Sequence, residues 1–188
     1  MDHFLLGFLP DHQISNRDCF YGYDPEFGVY LQHVCCRWLS QQVCSQALWR
    51  QYFKFTVVRN PYTRLLSVYV YCKRWLNCQE SFSSFVLSLP TRVKDPRSEI
   101  GSFFTPQVEF SHIDGECVVD YVGRFESLSE TVETVRNKLG IEREFPHLNA
   151  GLPSQKEKPI QTFYTQDMIE VVNQVYARDF EAFDYSML

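Results

Sequence analysis

The sequence lacks a membrane-spanning segment, a secretory signal and the cysteine spacing of common metal sites. No apolar run in its 188 residues approaches the roughly 18–20 residues that a spanning helix requires. The first residues, Met1-Asp2-His3, have no basic region of the kind that precedes the apolar core of a signal peptide. Seven cysteines are present, but none forms a Cys-x-x-Cys pair. We therefore predict no zinc site, no thioredoxin-like centre and no other metal site.

Acidic residues are missing from a long central stretch of the chain. Between Glu26 and Glu80 there is no Asp or Glu, although the formal net charge of the whole chain is −5. The same stretch contains seven basic residues, namely Arg37, Arg50, Lys54, Arg59, Arg64, Lys73 and Arg74. The negative total disfavours a nucleic-acid-binding protein, and the local basic block predicts an anion site.

Hydrophobic patterning predicts a single α/β domain. Residues 1–32 are rich in turn-forming residues and form an irregular lead-in, and residues 33–188 form the domain. We predict helices over residues 33–49, 61–74, 81–89, 128–139 and 165–180, strands over 52–59 and 117–122, and an extended segment over 103–110. Buried-type strands that alternate with helices indicate a layered α/β fold.

The most informative segment is the junction of the first predicted strand and the helix that follows it. Arg59 ends the strand, and Asn60-Pro61 supplies an N-cap residue and a proline at the first helical position. Asn60, Arg64 and Ser67 share one face of this helix. Two guanidinium groups, a hydroxyl and the free N–H groups of a helix N-terminus suit a phosphate group. The alternative is a structural corner whose arginine pairs with an acid elsewhere.

The segment from Phe53 to Tyr69 resembles the 3′-phosphate-binding motif of sulfotransferases, in particular of their carbohydrate and heparan-type branch. That branch has a strand followed by Val-Arg-Asn/Asp-Pro-aromatic-x-Arg-Leu-x-Ser-x-Tyr. Four further segments occur in the order of the family, at residues 105–107, 120–128, 146–149 and 176–185. Together these segments cover about residues 33–185, and the resemblance implies a P-loop NTPase-like parallel sheet flanked by helices.

The resemblance also implies a reaction and the residues that bind its donor. The donor would be 3′-phosphoadenosine-5′-phosphosulfate, and a sulfuryl group would move to an acceptor hydroxyl, on a carbohydrate. Arg59 and Ser67 match the pair that holds the 3′-phosphate of the donor. Arg64 matches a basic position that holds the adjacent loop, and we include Arg64 and Asn60 in the predicted donor site. No metal takes part.

We predict that His33 is the base that removes the proton of the acceptor hydroxyl. Related sulfotransferases have a histidine in a comparable place, and histidine titrates near neutral pH. The alternatives for the base are His112 and His147, and the alternative role for His33 is helix capping or packing. We predict acceptor contacts for Gln107, His147 and Asn149; Gln107 could instead fix the turn that precedes it.

One part of the family pattern is absent from the sequence. There is no Gly-x-x-x-x-Gly-Lys loop to hold the 5′-phosphosulfate, and the first lysine is Lys54. We therefore expect a sheet that is truncated at its N-terminal side. Three functions stay open: an active sulfotransferase, an inactive family member that binds nucleotides or partners, and a nucleotide-kinase-like enzyme. The resemblance suggests the Golgi lumen as the location, and a complete chain would suggest the cytoplasm.

Overall fold

The computed structural model describes residues 23–26, 29–93, 101–142 and 158–188, which combine helices with short strands. The strands are β1 (Tyr23–Asp24), β2 (Val29–Tyr30), β3 (Phe55–Val58), β4 (His112–Ile113), β5 (Glu116–Cys117) and β6 (Tyr121–Arg124). The α-helices are α1 (Cys36–Trp38), α2 (Gln46–Gln51), α3 (Pro61–Trp75), α4 (Phe82–Leu87), α5 (Leu89–Arg92), α6 (Leu128–Leu139), α7 (Gln166–Val175) and α8 (Ala177–Ala182). Shorter 3₁₀ turns cover Leu31–His33, Gly101–Phe103, Gln107–Phe110, Phe125–Ser127 and Ile160–Phe163, and a π-turn covers Leu39–Val43. None of the helices in these ranges is both long enough and apolar enough to cross a membrane.

Strands β3 and β6 form the parallel pair that positions the candidate site. They pair in register from Phe55 opposite Tyr121 to Val58 opposite Arg124. Parallel strands need a long crossover, and the connection between these two contains α3, α4, α5 and the β4–β5 hairpin. Because both strands end at the same edge of the sheet, the residues that follow them come together there.

Helix α3 packs with α4, α5 and α7 around the main hydrophobic core. The largest side chains of this core include Tyr62, Leu65, Phe85, Met168 and Tyr176, and each is at most 1% exposed. Burial of a large apolar side chain stabilises a fold by about 1.5–3 kcal/mol. The first two turns of α3 are therefore firmly anchored, and so are the residues at the end of β3 that lead into them.

The expected α/β class is confirmed as a mixed fold with a small parallel sheet and helices. Helix α3 begins at Pro61 as predicted, and Gly140 ends α6 in the left-handed region, with φ of 64°. The predicted lead-in over residues 1–32 falls largely outside the described residues. Within its described part, β1 and β2 form a short antiparallel pair.

The predicted extended segment over residues 103–110 is wrong, because Phe103 ends one 3₁₀ turn and Gln107–Phe110 form another. Two tertiary contacts fix it. Arg64 binds the carbonyls of Phe103 and Thr105, and the carboxylate of Asp179 accepts the backbone N–H groups of Gln107 and Val108. These partners come from α3 and α8, so the local sequence does not reveal them.

Two predicted helices and one predicted strand are interrupted in the structure. The 33–49 helix is divided into a 3₁₀ turn, α1, a π-turn and α2, and the 165–180 helix breaks at Tyr176 between α7 and α8. The 117–122 strand is divided between β5 and β6. Its first part forms a hairpin with β4 around Asp114 and Gly115, whose φ angles are 53° and 87°. Positive φ at both central residues is the geometry of a tight hairpin turn.

Candidate functional site

Arg59 follows β3 at the sheet edge, and the side chain of Gln107 bonds both the N–H group and the carbonyl of its backbone. The N–H group of Arg59 donates to Oε1 of Gln107 at 2.8 Å, and Nε2 of Gln107 donates back to the Arg59 carbonyl at 2.8 Å. Gln107 is itself buried and bonds to the carboxylate of Asp179. The position of Arg59 is therefore fixed by hydrogen bonds to a buried scaffold.

The guanidinium of Arg59 has no acidic partner within the part of the chain that the structure describes. Its Nε donates to Oγ1 of Thr63 at 3.0 Å, and its plane lies over the ring of Phe125 at 4.4 Å. Neither terminal nitrogen has a hydrogen-bond acceptor among the described residues. Burial lowers the pKa of this group, and the charge of Glu126 opposes that shift. A partly desolvated cation with free donors is suited to an anionic ligand.

Ser67 carries a second free donor in this part of α3. It lies eight residues after Arg59, and its side chain is exposed. Its hydroxyl makes no hydrogen bond to any described residue. Arg59 and Ser67, which the sequence pairs in one motif, are thus both free to bind a ligand.

The first turn of α3 differs from expectation, because its N–H groups are already occupied. The Asn60 side chain accepts from the N–H groups of Tyr62 at 3.0 Å and Thr63 at 3.5 Å, and Pro61 has no N–H group. The N–H group of Asn60 itself donates to Glu126 at 2.8 Å. The predicted anion binding by free backbone N–H groups is therefore wrong. An anion at this corner would therefore be bound by side chains. The predicted contact between Asn60 and the donor stays a prediction, and it would use the Nδ2 group of Asn60.

Glu126 joins this corner to the C-terminal segment. Its Oε1 accepts the Asn60 N–H group, and its Oε2 accepts the hydroxyl of Tyr185 at 2.8 Å. Burial, together with this bond, raises the pKa of Tyr185. The carboxylate therefore fixes the backbone before α3 while it leaves the Arg59 side chain unpaired.

Arg64 is half-buried, whereas Ser67, three residues later in α3, is exposed. Its Nη2 donates to the carbonyls of Phe103 at 3.0 Å and Thr105 at 2.9 Å, as expected for a residue that holds a loop. Its guanidinium lies 5.6 Å from the ring of Tyr176. The other terminal nitrogen, Nη1, is buried without a hydrogen-bond partner.

A cavity of about 240 Å³ lies next to Arg64 and brings three of the predicted site residues together. Its lining includes His33, Arg64 and Gln107, with Ser102 and Phe103 between them. The ring of His33 packs edge-on against Phe103 at 5.6 Å. Gln107 uses both ends of its amide within the protein, so a structural role is favoured and its acceptor contact stays a prediction.

Three further residues were predicted to take part in the site, namely His112, His147 and Asn149. His147 and Asn149 lie outside the described residues. The ring of His112 is hydrogen-bonded through Nδ1 to the hydroxyl of Ser111 at 2.8 Å and packs against Phe183 at 5.8 Å. It does not line the cavity. His33 is therefore the described histidine best placed to act as a base.

Some residues of the site were not identified from the sequence. Thr63 orients the Arg59 guanidinium, Phe125 packs beneath it, and Asp179 fixes the Gln107 turn. Thr63 lies in the first turn of α3, whereas Arg59 precedes the N-cap residue Asn60, so no helical spacing rule indicated their contact. Among the described residues, no group of three or more His, Cys, Asp or Glu side chains could hold a metal ion.

Comparison with known proteins gives one family. An uncharacterized protein of Archaeoglobus fulgidus is 29% identical over 108 residues, which make up 57% of this chain and 83% of that protein. No solved structure gives a significant match. A sequence profile of the sulfotransferase family matches residues 33–186, which is most of the chain. The chain belongs to the sulfotransferase family.

Proposed function

We propose that this protein transfers a sulfuryl group from 3′-phosphoadenosine-5′-phosphosulfate to a hydroxyl group of a carbohydrate. The observation that carries the proposal is the pair of free donors on Arg59 and Ser67. They lie at the edge of the parallel pair where β3 ends and α3 begins. Open α/β sheets bind their ligands at this edge. We further propose that β3 and β6 belong to a P-loop NTPase-like sheet.

The residues at this corner fit the 3′-phosphate of the donor. A guanidinium with two free nitrogens and a free hydroxyl supply donors to a doubly charged oxygen group. Glu126, the nearest acid, is held by Asn60 and Tyr185, so it does not neutralise Arg59 by direct pairing. Arg59 and Ser67 would hold the donor, and the donor would supply the sulfuryl group.

His33 would act as the general base of the reaction. It lines the cavity and packs edge-on against Phe103. Its ring nitrogen would accept the proton of the acceptor hydroxyl as the acceptor oxygen bonds to sulfur. The bond from sulfur to the nucleotide phosphate oxygen would break, which releases adenosine 3′,5′-bisphosphate.

Two exposed aromatic residues support a carbohydrate acceptor. Tyr71 is 42% exposed, and its ring lies edge-on at 5.5 Å from Phe103, at the wall of the cavity. Trp75 follows one turn later on the same helix and is 59% exposed, with the Arg74 guanidinium at 4.9 Å. Flat amphipathic rings of this kind offer an apolar surface with a wet rim. A sugar ring has a matching apolar face.

The test is a transfer assay with donor labelled in the sulfuryl group and a panel of oligosaccharides. We expect label to appear in a carbohydrate, and we expect His33→Ala to reduce kcat by about 10²–10⁴-fold, the range typical of a lost general base. His112→Ala is the matched control and should keep the wild-type rate. Transfer that is equally fast in His33→Ala would contradict the assigned base. Nucleotide binding without transfer to any acceptor would contradict the proposed enzyme and favour an inactive nucleotide-binding module.

A further inference from the structure

Two buried polar atoms next to the cavity have no hydrogen-bond partner among the described residues. They are Nη1 of Arg64 and Oγ of Ser102, and both residues line the cavity that His33 also lines. Ser102 is 6% exposed. Buried polar groups in native proteins are nearly always hydrogen-bonded, so each exception needs an explanation.

The charge around the cavity points to an anionic ligand. Arg64 contributes a permanent positive charge, and none of the described residues that line the cavity carries a carboxylate. The two acceptors that Arg64 reaches are the neutral carbonyls of Phe103 and Thr105. Asp179 is close enough for its charge to interact with Arg64, but its oxygens are bonded to Gln107 and Val108. One guanidinium N–H group and one hydroxyl are thus left for an external oxygen acceptor.

We propose that Arg64 Nη1 and Ser102 Oγ form an oxyanion subsite that binds a sulfonate or carboxylate group of a substrate, in addition to the contacts proposed for Arg59 and Ser67. The ligand's identity rests on the proposed function, since the sulfonate would be that of the donor and the carboxylate that of an acidic sugar acceptor. Because His33 lines the same cavity, the subsite would fix a charged group close to the candidate base.

The decisive variant is Ser102→Ala, compared with Ser111→Ala. Ser102 makes no hydrogen bond through its hydroxyl in the described structure, so its removal should leave Tm unchanged or slightly higher. Ser111 is equally buried but bonds through its hydroxyl to Val108 and His112, and it does not line the cavity. Ser111→Ala should lower Tm and leave ligand affinity unchanged.

Calorimetry would use four titrants: adenosine 3′,5′-bisphosphate, the sulfated donor, a glucuronate-containing disaccharide and its methyl ester. We expect Ser102→Ala to weaken binding of the sulfated donor or of the glucuronate by about tenfold, because a hydrogen bond to a charged group is lost. The bisphosphate and the methyl ester should be unaffected. A loss confined to the donor identifies the sulfonate as the ligand, and a loss confined to the glucuronate identifies the carboxylate.

Unchanged affinity for both charged titrants in Ser102→Ala would overturn the subsite. Failure of the proposed function gives a different result, which is either no sulfuryl transfer by the wild-type protein or no binding of the bisphosphate to it. Where the bisphosphate does bind, the four titrations report on the subsite as above. Where it does not bind, inorganic sulfate and the glucuronate still report on the cavity, and weaker binding of either to Ser102→Ala would support the subsite alone.

Discussion

At the scale of single residues, two arginines five positions apart have different surroundings. The Arg59 side chain bonds only to Thr63 among the described residues, and its terminal nitrogens have no acceptor there. Arg64 is tied to two backbone carbonyls of the 103–105 turn. The sequence presents both as members of one anion site. The structure distinguishes a cation at the sheet edge whose terminal nitrogens have no described acceptor from a cation that holds a turn and lines the cavity.

A prediction at this scale concerns the six cysteines among the described residues, all of which are free. Cys36 is 4% exposed, and burial raises the pKa of its thiol to about 11, with a further contribution from the neighbouring Cys35. The thiolate is the reactive form, so the raised pKa makes Cys36 less reactive at neutral pH. Cys117 is exposed and serves as the comparison. In the folded protein at pH 7.5, iodoacetamide should modify Cys117 well before Cys36.

Mass spectrometry of the labelled peptides checks this order. Raising the pH towards 11 should increase the rate at Cys36, because more of its thiol then ionises. Faster labelling of Cys36 than of Cys117 at pH 7.5 would contradict the burial of α1 against β4, where the Cys36 thiol donates to the carbonyl of His112.

At the scale of elements, the contact between β6 and α6 depends on a glycine. A Cβ atom at Gly123 would lie 2.2 Å from Cγ2 of Thr131, whose hydroxyl bonds both the N–H and the carbonyl of Arg124. Gly123→Ala should therefore push α6 from the strand. We expect a loss of about 1–3 kcal/mol in the free energy of unfolding, as is typical of overpacking.

Urea denaturation of Gly123→Ala and of the control Ser129→Ala tests this. Ser129 is an exposed residue of the same helix, and its substitution should change the midpoint little. Equal midpoints for Gly123→Ala and the wild-type protein would show that β6 and α6 are not in close contact at Gly123.

The elements that could be predicted from the sequence are those with local determinants. Asn60 and Pro61 begin α3, and Gly140 ends α6, because capping residues act within one turn of the chain. The Asp114-Gly115 hairpin also has a local signal that the strand prediction passed over. The 103–110 turns could not be predicted, since Arg64 and Asp179 fix them from distant elements. The same holds for the site, where the motif identifies Arg59 but not Phe125 or Ser102.

At the scale of the whole molecule, the charge of the stretch around the candidate site is opposite in sign to the net charge of the chain. The chain carries −5 overall, yet the stretch that contains β3 and α3 has basic residues and no acid. An anionic nucleotide should therefore meet a locally positive surface on a protein that is negative elsewhere. Much of the affinity at such a surface is electrostatic and is screened by salt.

Thermal unfolding with and without ligand tests whether this positive surface contributes to nucleotide binding. Adenosine 3′,5′-bisphosphate at 100 times its Kd should stabilise the folded protein by about 2.7 kcal/mol, which raises Tm. At a fixed ligand concentration, the rise in Tm should shrink between 50 mM and 500 mM NaCl. A shift in Tm that does not depend on salt would indicate binding without the basic surface, and adenosine serves as the uncharged control.

The most direct test of the central claim is a calorimetric titration of adenosine 3′,5′-bisphosphate into the wild-type protein, Arg59→Met and Arg178→Met. Arg178 is an exposed arginine of α8 that pairs with Glu109, and its variant controls for the loss of one charge. We expect one binding site in the wild-type protein and in Arg178→Met. We expect at least about tenfold weaker binding in Arg59→Met, because hydrogen bonds to a charged phosphate are lost. Wild-type affinity in Arg59→Met would show that Arg59 does not bind the nucleotide.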